Sequence, residues 1–384
     1  MLNFDFYNPT RVLFGQGRIA DLGKHVPADA RVLILYGGGS VKKNGTLDEV
    51  LLALEGRQLF EFGGIEPNPT YETLSLAVAA AKREKIDFLL AVGGGSVIDG
   101  TKYIAAAACH DGDGLDILHR KVRIRDALPI GAVLTLAATG SEMNSGAVVT
   151  HRATHTKLAF MNERLFPRFA VLDPTKTFTL DERQIGNGIV DAYVHIMEQY
   201  LTIPVQARVQ DRFAEGLLQT LLEIGPQALA NPKDYSLRAN LMWVATMALN
   251  GLIGAGVPQD WSTHMIGHEL TALYDIDHAR TLAIVLPAMM SVRREAKRDK
   301  LLQYAERVWQ LHDGDEDTRI QRAIERTRVF FDSLNVPTRL SAYQLGSEAI
   351  DKVISQLEAH GMTALGERKE VTPAVARQVL EAAL

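Results

Sequence analysis

Residues 86–99 read IDFLLAVGGGSVID, and the fold turns on that stretch. A continuous apolar run such as 86–92 is what a strand buried on both faces of a parallel sheet looks like. Glycines and Ser96 follow, and then a helical segment runs through alanines to about residue 108. The same order stands upstream, with RVLILY at 31–36, GGGS at 37–40 and a helical segment near 46–55. Strands alternating with helices imply a parallel sheet covered by helices on both faces. Working outward, further strands are expected at 10–15, 57–63, 128–136 and 169–172, a helix at 71–84, and a hairpin from 146–150 and 157–161. The expected fold of this part is an α/β domain built on a parallel sheet.

After Asp173-Pro174 the strand signals stop. Thr179 and Glu182 have the spacing of a capping box. Helical periodicity then covers 182–201, 207–229, 234–252, 260–274, 298–312, 317–334, 346–358 and 373–383. A chain of 384 residues exceeds one ordinary core. Two domains are expected, 1–180 built on the sheet and 181–384 all helical.

Hydrophobic residues make up 47% and charged residues 23% of the chain, an ordinary globular mix. A net charge of −5 argues against nucleic acid as a partner. Cys109 is the single cysteine, so no intrachain disulfide forms. The N-terminus MLNFDFYNPTRVLFG has no basic start followed by an apolar core, and runs such as 281–290 are too short to span a bilayer. Together these point to the cytoplasm and to no membrane partner.

Glycines after a buried strand let a ligand approach the backbone, and the next helix offers N–H groups and a positive dipole end to phosphate. Gly93, Gly94, Gly95 and Ser96 fit that role. In the first loop, Gly37 stands where an NAD-binding fold often carries an acid for the ribose 2′-hydroxyl. Gly37, Gly38 and Ser40, followed by Lys42 and Lys43, leave room and positive charge for a 2′-phosphate. TLAATGSE at 135–142 is a third polar loop, whose Thr135, Thr139 and Ser141 can donate to a pyrophosphate or a carboxamide.

The helical part carries DAYVHIMEQY from Asp191 and STHMIGHELTALYDIDHA from Ser262. Asp191 and His195 stand at i and i+4, one turn apart on one helix face. His264 and His268 repeat the spacing, and His278 follows. One carboxylate with two or three imidazoles suits a divalent first-row metal. The competing reading is several unrelated buried histidines; the joint spacing and the cofactor-like loops favour the metal.

These motifs resemble the iron-dependent (group III) alcohol dehydrogenases. The match comprises GGGSxxD at 93–99, T-x-x-x-TGSE at 135–142, Lys157, Asp173-Pro174, D-A-x-x-H at 191–195, and H-x-x-x-H at 264–268 followed by His278. YGGGSVKK, FGGIEPNP, RFAEG and LNGLIGAGVPQDW are similar to the NADP-dependent aldehyde reductase and butanol dehydrogenase branch. The resemblance implies a dehydroquinate-synthase-like architecture, with a Rossmann-like α/β dinucleotide-binding domain at 1–180, an all-helical metal-binding and substrate domain at 181–384 and the active site in the cleft between them, and it implies a homodimer. It implies that Asp191, His195, His264 and His278 hold one iron or zinc ion, and that His268 faces substrate as the catalytic histidine. It adds Asn68, Asp99 and Lys157 to the cofactor contacts and favours NADP(H) over NAD(H). The implied reaction is hydride transfer between NADP(H) and a primary alcohol/aldehyde pair, running as reduction of short-chain aldehydes such as butanal, with the metal as Lewis acid. One departure is Lys176, where the family usually has an apolar or aromatic residue against the cofactor.

Three rivals remain at this level. A polyol dehydrogenase or a lyase of the same architecture would want Lys, Arg and Asn in 240–286, which is mostly apolar. A metal hydrolase would need Glu269 as its base. A non-catalytic NADPH sensor would lack a complete ligand set.

Overall fold

The computed structural model describes every residue from Met1 to Leu384. Eight strands form: β1 (Arg11–Phe14), β2 (Arg31–Tyr36), β3 (Gln58–Phe62), β4 (Phe88–Gly93), β5 (Ile130–Leu134), β6 (Gly146–His151), β7 (Thr156–Met161) and β8 (Phe169–Leu172). Six of them make one sheet in the order β1-β8-β5-β4-β2-β3, and every pairing in it is parallel. β6 and β7 form a separate antiparallel hairpin. The helices between strands are α1 (Ser40–Lys43), α2 (Thr46–Ala53), α3 (Tyr71–Arg83), α4 (Gly95–Ala108) and α5 (Gly114–Leu118).

Chain order reverses between β2 and β4, because the chain leaves β2 for the edge strand β3 and returns to β4. Ligands of open α/β sheets bind beyond the carboxyl ends of strands at such a reversal. Tyr36 pairs with Val92 there, so the two glycine loops start side by side. β2 and β4 are buried almost throughout, as their unbroken apolar runs require.

Nine helices follow: α6 (Glu182–Tyr200), α7 (Arg208–Ala230), α8 (Tyr235–Ala248), α9 (Ser262–Tyr274), α10 (His278–Val292), α11 (Arg298–Arg307), α12 (Glu316–Ser333), α13 (Ser347–Ala359) and α14 (Pro373–Glu381). Three differ from expectation. α6 is capped by Asp181, whose carboxylate accepts from the Gln184 N–H at 2.8 Å, two residues beyond the expected Thr179 cap. α8 stops at Ala248 because the segment after it contains left-handed Gly251 and Gly256. α10 was not expected as a helix at all. It is buried on nearly every side and carries Pro287 in its interior, so it shows neither amphipathic period nor clean continuity.

The chain divides into two compact units that exchange segments. An α/β unit takes Tyr7–Leu180 together with Lys233–Thr246; a helical unit takes Met1–Phe6, Asp181–Pro232 and Met247–Leu384. Residues 233–246, most of α8, thus lie in the α/β unit. They are held there by Arg238, which is 2% exposed and donates to the Thr177 carbonyl and hydroxyl at 2.9 Å each. Thr246 donates to Glu142 at 2.6 Å, and Trp243 packs edge-on against Phe14. The α/β core runs from β2, β4 and β8 to Leu22, Val50 and Leu54. A core of the helical unit joins α9, α10, α13 and α14. No helix is long and apolar enough to cross a membrane.

Candidate active site

In the helical unit, α6, α9 and the first residue of α10 bring the expected metal ligands together. Asp191, His195 and His264 are buried and offer ligand atoms that all lie within 4.8 Å of one another. Asp191 Oδ1 is 3.8 Å from His195 Nδ1 and 3.8 Å from His278 Nε2. Atoms bound at ~2.1 Å to one metal stand roughly 3–4 Å apart. The His195 and His264 rings stack at 4.8 Å, and His278 lies 5.2 Å from His264. His268 is also buried, with its ring 5.1 Å from His278 and 6.1 Å from His264.

Local chemistry fixes each element. Asp277, just before His278, accepts from Arg183 and Asn187 of α6 at 2.7 Å each, which seats the start of α10 on α6. Trp261, in a left-handed conformation (φ 63°), precedes α9, and its ring meets His264 edge-on at 5.1 Å. Sequence reasoning missed Glu198, a buried carboxylate on the same face of α6 as Asp191 and His195. It contacts His264 Nδ1 and accepts the Thr263 N–H at 2.7 Å. It also missed Lys297, which is buried against Asp260 and Glu367.

The residues fit a divalent cation. Asp191 Oδ1 is buried without a hydrogen-bond partner while imidazoles converge on it. Glu198 and Asp260 are buried as well, and Lys297 pairs with Asp260 and Glu367. Burial, with Asp260 beside it, pushes the Glu198 carboxyl up to about 8, and a cation held by the adjoining His264 would act the other way and favour the carboxylate. Glu269, the base a hydrolase would need, is instead paired with His360, the residue that caps the end of α13, at 2.9 Å. A cavity of about 320 Å³ elsewhere in this unit is lined by Arg208, Arg212, Lys300 and Arg307. Three of those cations are paired with Asp211 or Glu215.

In the α/β unit, the expected cofactor residues gather at the carboxyl ends of β2, β4 and β5. A Cβ on Gly38 or Gly39 would meet nothing within 4 Å, so that backbone is open to a ligand. Ser40 is exposed at the start of α1. Lys42 leans over the Tyr36 ring and pairs with Glu61 at 3.2 Å, leaving Lys43 as the uncommitted lysine. Gly93 and Gly95 are glycine for a different reason. A Cβ would lie 2.6 Å from Val97 Cγ2 at the first and 2.3 Å from Thr139 Oγ1 at the second. α4 starts at Gly95 with no side-chain cap, so its N-terminus is available to an anion. The Thr135 N–H donates to the Gly93 carbonyl at 3.0 Å, tying the second and third loops. Asn68, left-handed at φ 54°, accepts from Lys157 Nζ at 2.9 Å, so two residues far apart in sequence meet.

Asp99 and Ser141 stand differently. Ser141 is 2% exposed; it donates to Asp99 at 2.6 Å and accepts from Lys102 Nζ at 2.9 Å. Asp99 also accepts the Val148 N–H at 2.9 Å. These bonds brace the loops from below. Lys102 is fully buried, and desolvation pulls its ammonium down to about 8 against the pull of Asp99 and Glu142. Lys176, the departure noted above, pairs with Glu49 of α2 at 2.6 Å.

Comparison with known proteins agrees with this layout. Residues 9–174 match the family described as iron-containing alcohol dehydrogenase, and residues 186–383 match the C-terminal domain of the Fe-containing alcohol dehydrogenase family. The chain is 58% identical to the NADPH-dependent aldehyde reductase YqhD of Escherichia coli, over 100% of both chains. The substrate- and cofactor-free structure of that protein superposes with a TM-score of 0.94, at 57% identity over 100% of both chains. An NADH-dependent butanol dehydrogenase A from Thermotoga maritima superposes at 0.96, with 36% identity over 100% of this chain and 99% of that one. The chain therefore belongs to the iron-containing alcohol dehydrogenase family.

Proposed function

We propose that this protein is a metal-dependent oxidoreductase that moves hydride between NADP(H) and a primary alcohol/aldehyde pair, working as a reductase of short-chain aldehydes. The observation that carries the reading is the convergence of Asp191, His195, His264 and His278 around one buried, unpartnered carboxylate oxygen. These four residues would hold one divalent ion, iron or zinc. When bound, such an ion supplies Lewis acidity toward a carbonyl oxygen. Asp191 offsets part of its charge, and the three imidazoles keep the site cationic overall.

Gly37, Gly38 and Ser40, with Lys43, would take the adenosine 2′-phosphate. The absence of an acid after β2 removes the partner that NAD prefers. Gly93, Gly94, Gly95 and Ser96 at the start of α4 would receive the pyrophosphate. Thr135 and Thr139 line the same end of the sheet, while Asp99 and Ser141 brace it. Asn68 orients the Lys157 ammonium toward the nicotinamide side. His268, buried beside His278, would contact substrate and pass a proton to the reduced oxygen, since histidine side chains titrate near neutral pH.

The proposed division of labour gives the dinucleotide to residues 1–180 and metal and substrate to 181–384, except that 1–6 and 233–246 change sides with the units they belong to. A cytoplasmic homodimer is the proposed setting. The likeness to the aldehyde reductase supports both the cofactor and the direction. The test is loss of NADPH absorbance with butanal, before and after chelation and metal re-addition. Activity that survives complete metal removal would refute the reading, as would equal use of NADH.

A further inference from the structure

Glu198 belongs to neither the ligand set nor the substrate contacts, yet it is 3% exposed and faces the metal side of α6. Asp191, His195 and Glu198 follow one another at i, i+4 and i+7, which places all three on one helix face. Its two carboxylate oxygens do separate jobs. Oε1 accepts the Thr263 N–H at 2.7 Å and the His264 N–H at 3.4 Å. Those amides open α9, whose N-cap residue Trp261 gives no side-chain cap. Oε2 meets His264 Nδ1 directly. The Glu198 carbonyl also accepts the Asp260 N–H at 3.0 Å.

We infer that Glu198 is the positioning residue for His264: its carboxylate selects the imidazole tautomer with the proton on Nδ1, so that Nε2 faces Asp191 and His195 as the metal-binding lone pair. This rests on the ligand set proposed above. The physical basis is that a carboxylate only accepts. The nitrogen facing it must carry a proton, and the opposite nitrogen then cannot. The same carboxylate caps α9, so ring orientation and helix start are set by one group. A carboxylate at a helix N-terminus also meets the positive end of the dipole.

Glu198→Gln separates the two jobs. The amide oxygen can still accept the Thr263 N–H, but the amide nitrogen then donates toward His264 Nδ1. That selects the tautomer with the proton on Nε2, which does not bind metal. The experiment is competition for zinc against a chelator of known affinity, on the full chain, together with the visible spectrum of the cobalt-substituted protein. Loss of an outer hydrogen-bond partner of this kind lowers metal affinity ~10–100-fold. Glu198→Gln should fall in that range, shift the cobalt bands, and lower the unfolding temperature of the metal-loaded chain more than that of the metal-free chain. In a His264→Ala background it should add less than about twofold, because two residues acting through one contact are not additive.

Wild-type zinc affinity with an unchanged cobalt spectrum would overturn the inference. So would an equal loss with and without His264, or equal falls in both unfolding temperatures, which mark a helix cap alone. If Glu198→Gln does not fold, Glu198→Asp carries the same cycle: it keeps the charge but withdraws it by one methylene. Weakened zinc binding confined to the background with His264 is then expected, and wild-type binding is the contrary result. Full metal occupancy in His264→Ala alone would instead refute the ligand set, so the two failures are distinguishable.

Discussion

Gly95→Ala tests the reading of the second glycine loop. The added Cβ would lie 2.3 Å from Thr139 Oγ1, 2.6 Å from Thr139 Cγ2 and 2.9 Å from Thr139 Cβ. Rotating Thr139 about χ1 moves the first two atoms but leaves its Cβ where it is, and β-branched side chains are stiff at that bond. The overlap is therefore relieved only by parting the loop at 93–96 from the loop at 135–142. Overpacking of this kind costs ~1–3 kcal/mol. At roughly 2–4 °C per kcal/mol for a domain of this size, the unfolding temperature should drop by about 2–12 °C. NADPH affinity should fall as well, because both loops bear on the proposed pyrophosphate site. The assays are thermal unfolding and a fluorescence titration with NADPH. Thr139→Gly removes all three clashing atoms, so the double variant should recover most of the loss, a coupling of ~1–3 kcal/mol. Wild-type stability and NADPH affinity in Gly95→Ala, or no recovery in the double variant, would refute the claim that contact between these loops demands the glycine.

The other predictions concern separate parts of the site. His268→Asn should keep metal content and NADPH binding while kcat falls by up to ~10²–10⁴-fold, the range of general acid–base groups; loss of metal would make His268 a ligand instead. Gly37→Asp should shift the kcat/KM ratio toward NADH by placing a carboxylate near the 2′-phosphate, and an unchanged ratio would move discrimination elsewhere. Lys102 sets a pH signature. Its folded value of about 8 lies below the ordinary 10.5, so between those values the unfolded chain binds more protons and stability rises with pH. At ~1.4 kcal/mol per pKa unit the rise attributable to Lys102 is about 3 kcal/mol, present in the wild type and missing in Lys102→Met. Equal pH slopes of chemical unfolding in the two proteins would contradict it.

How much of this was legible in the sequence depends on what each signal encodes. β2 and β4 were readable because strands buried on both faces leave unbroken apolar runs, and the glycines after them mark the carboxyl ends. The shared helix face of Asp191 and His195, the candidate metal face, was readable from their i, i+4 spacing. Glu198 was not, since a glutamate one turn beyond a histidine usually marks a solvated helix face; only the depth at which α6 is buried gives it meaning. α10 escaped because a helix buried all round has no period, and Pro287 interrupts what remains. Asp99 and Ser141 were readable as candidate cofactor contacts, but residue type does not reveal that they also bond to each other, Val148 and Lys102. Residues 233–246 gave an amphipathic helix without indicating which core would receive it.

That last segment bears on biosynthesis. The α/β unit is completed by residues that follow Leu180 only after another long helical stretch. At ~5–20 residues per second of translation, several seconds separate emergence of the sheet from emergence of α8. During that interval Phe14, the Thr177 carbonyl and Glu142 lack the partners that Trp243, Arg238 and Thr246 later provide. A nascent chain at this stage is a natural client for a holding chaperone. A fragment cut at 180 freezes that stage permanently. A free-standing nucleotide-binding fragment would need residues 233–246 grafted back through a tether.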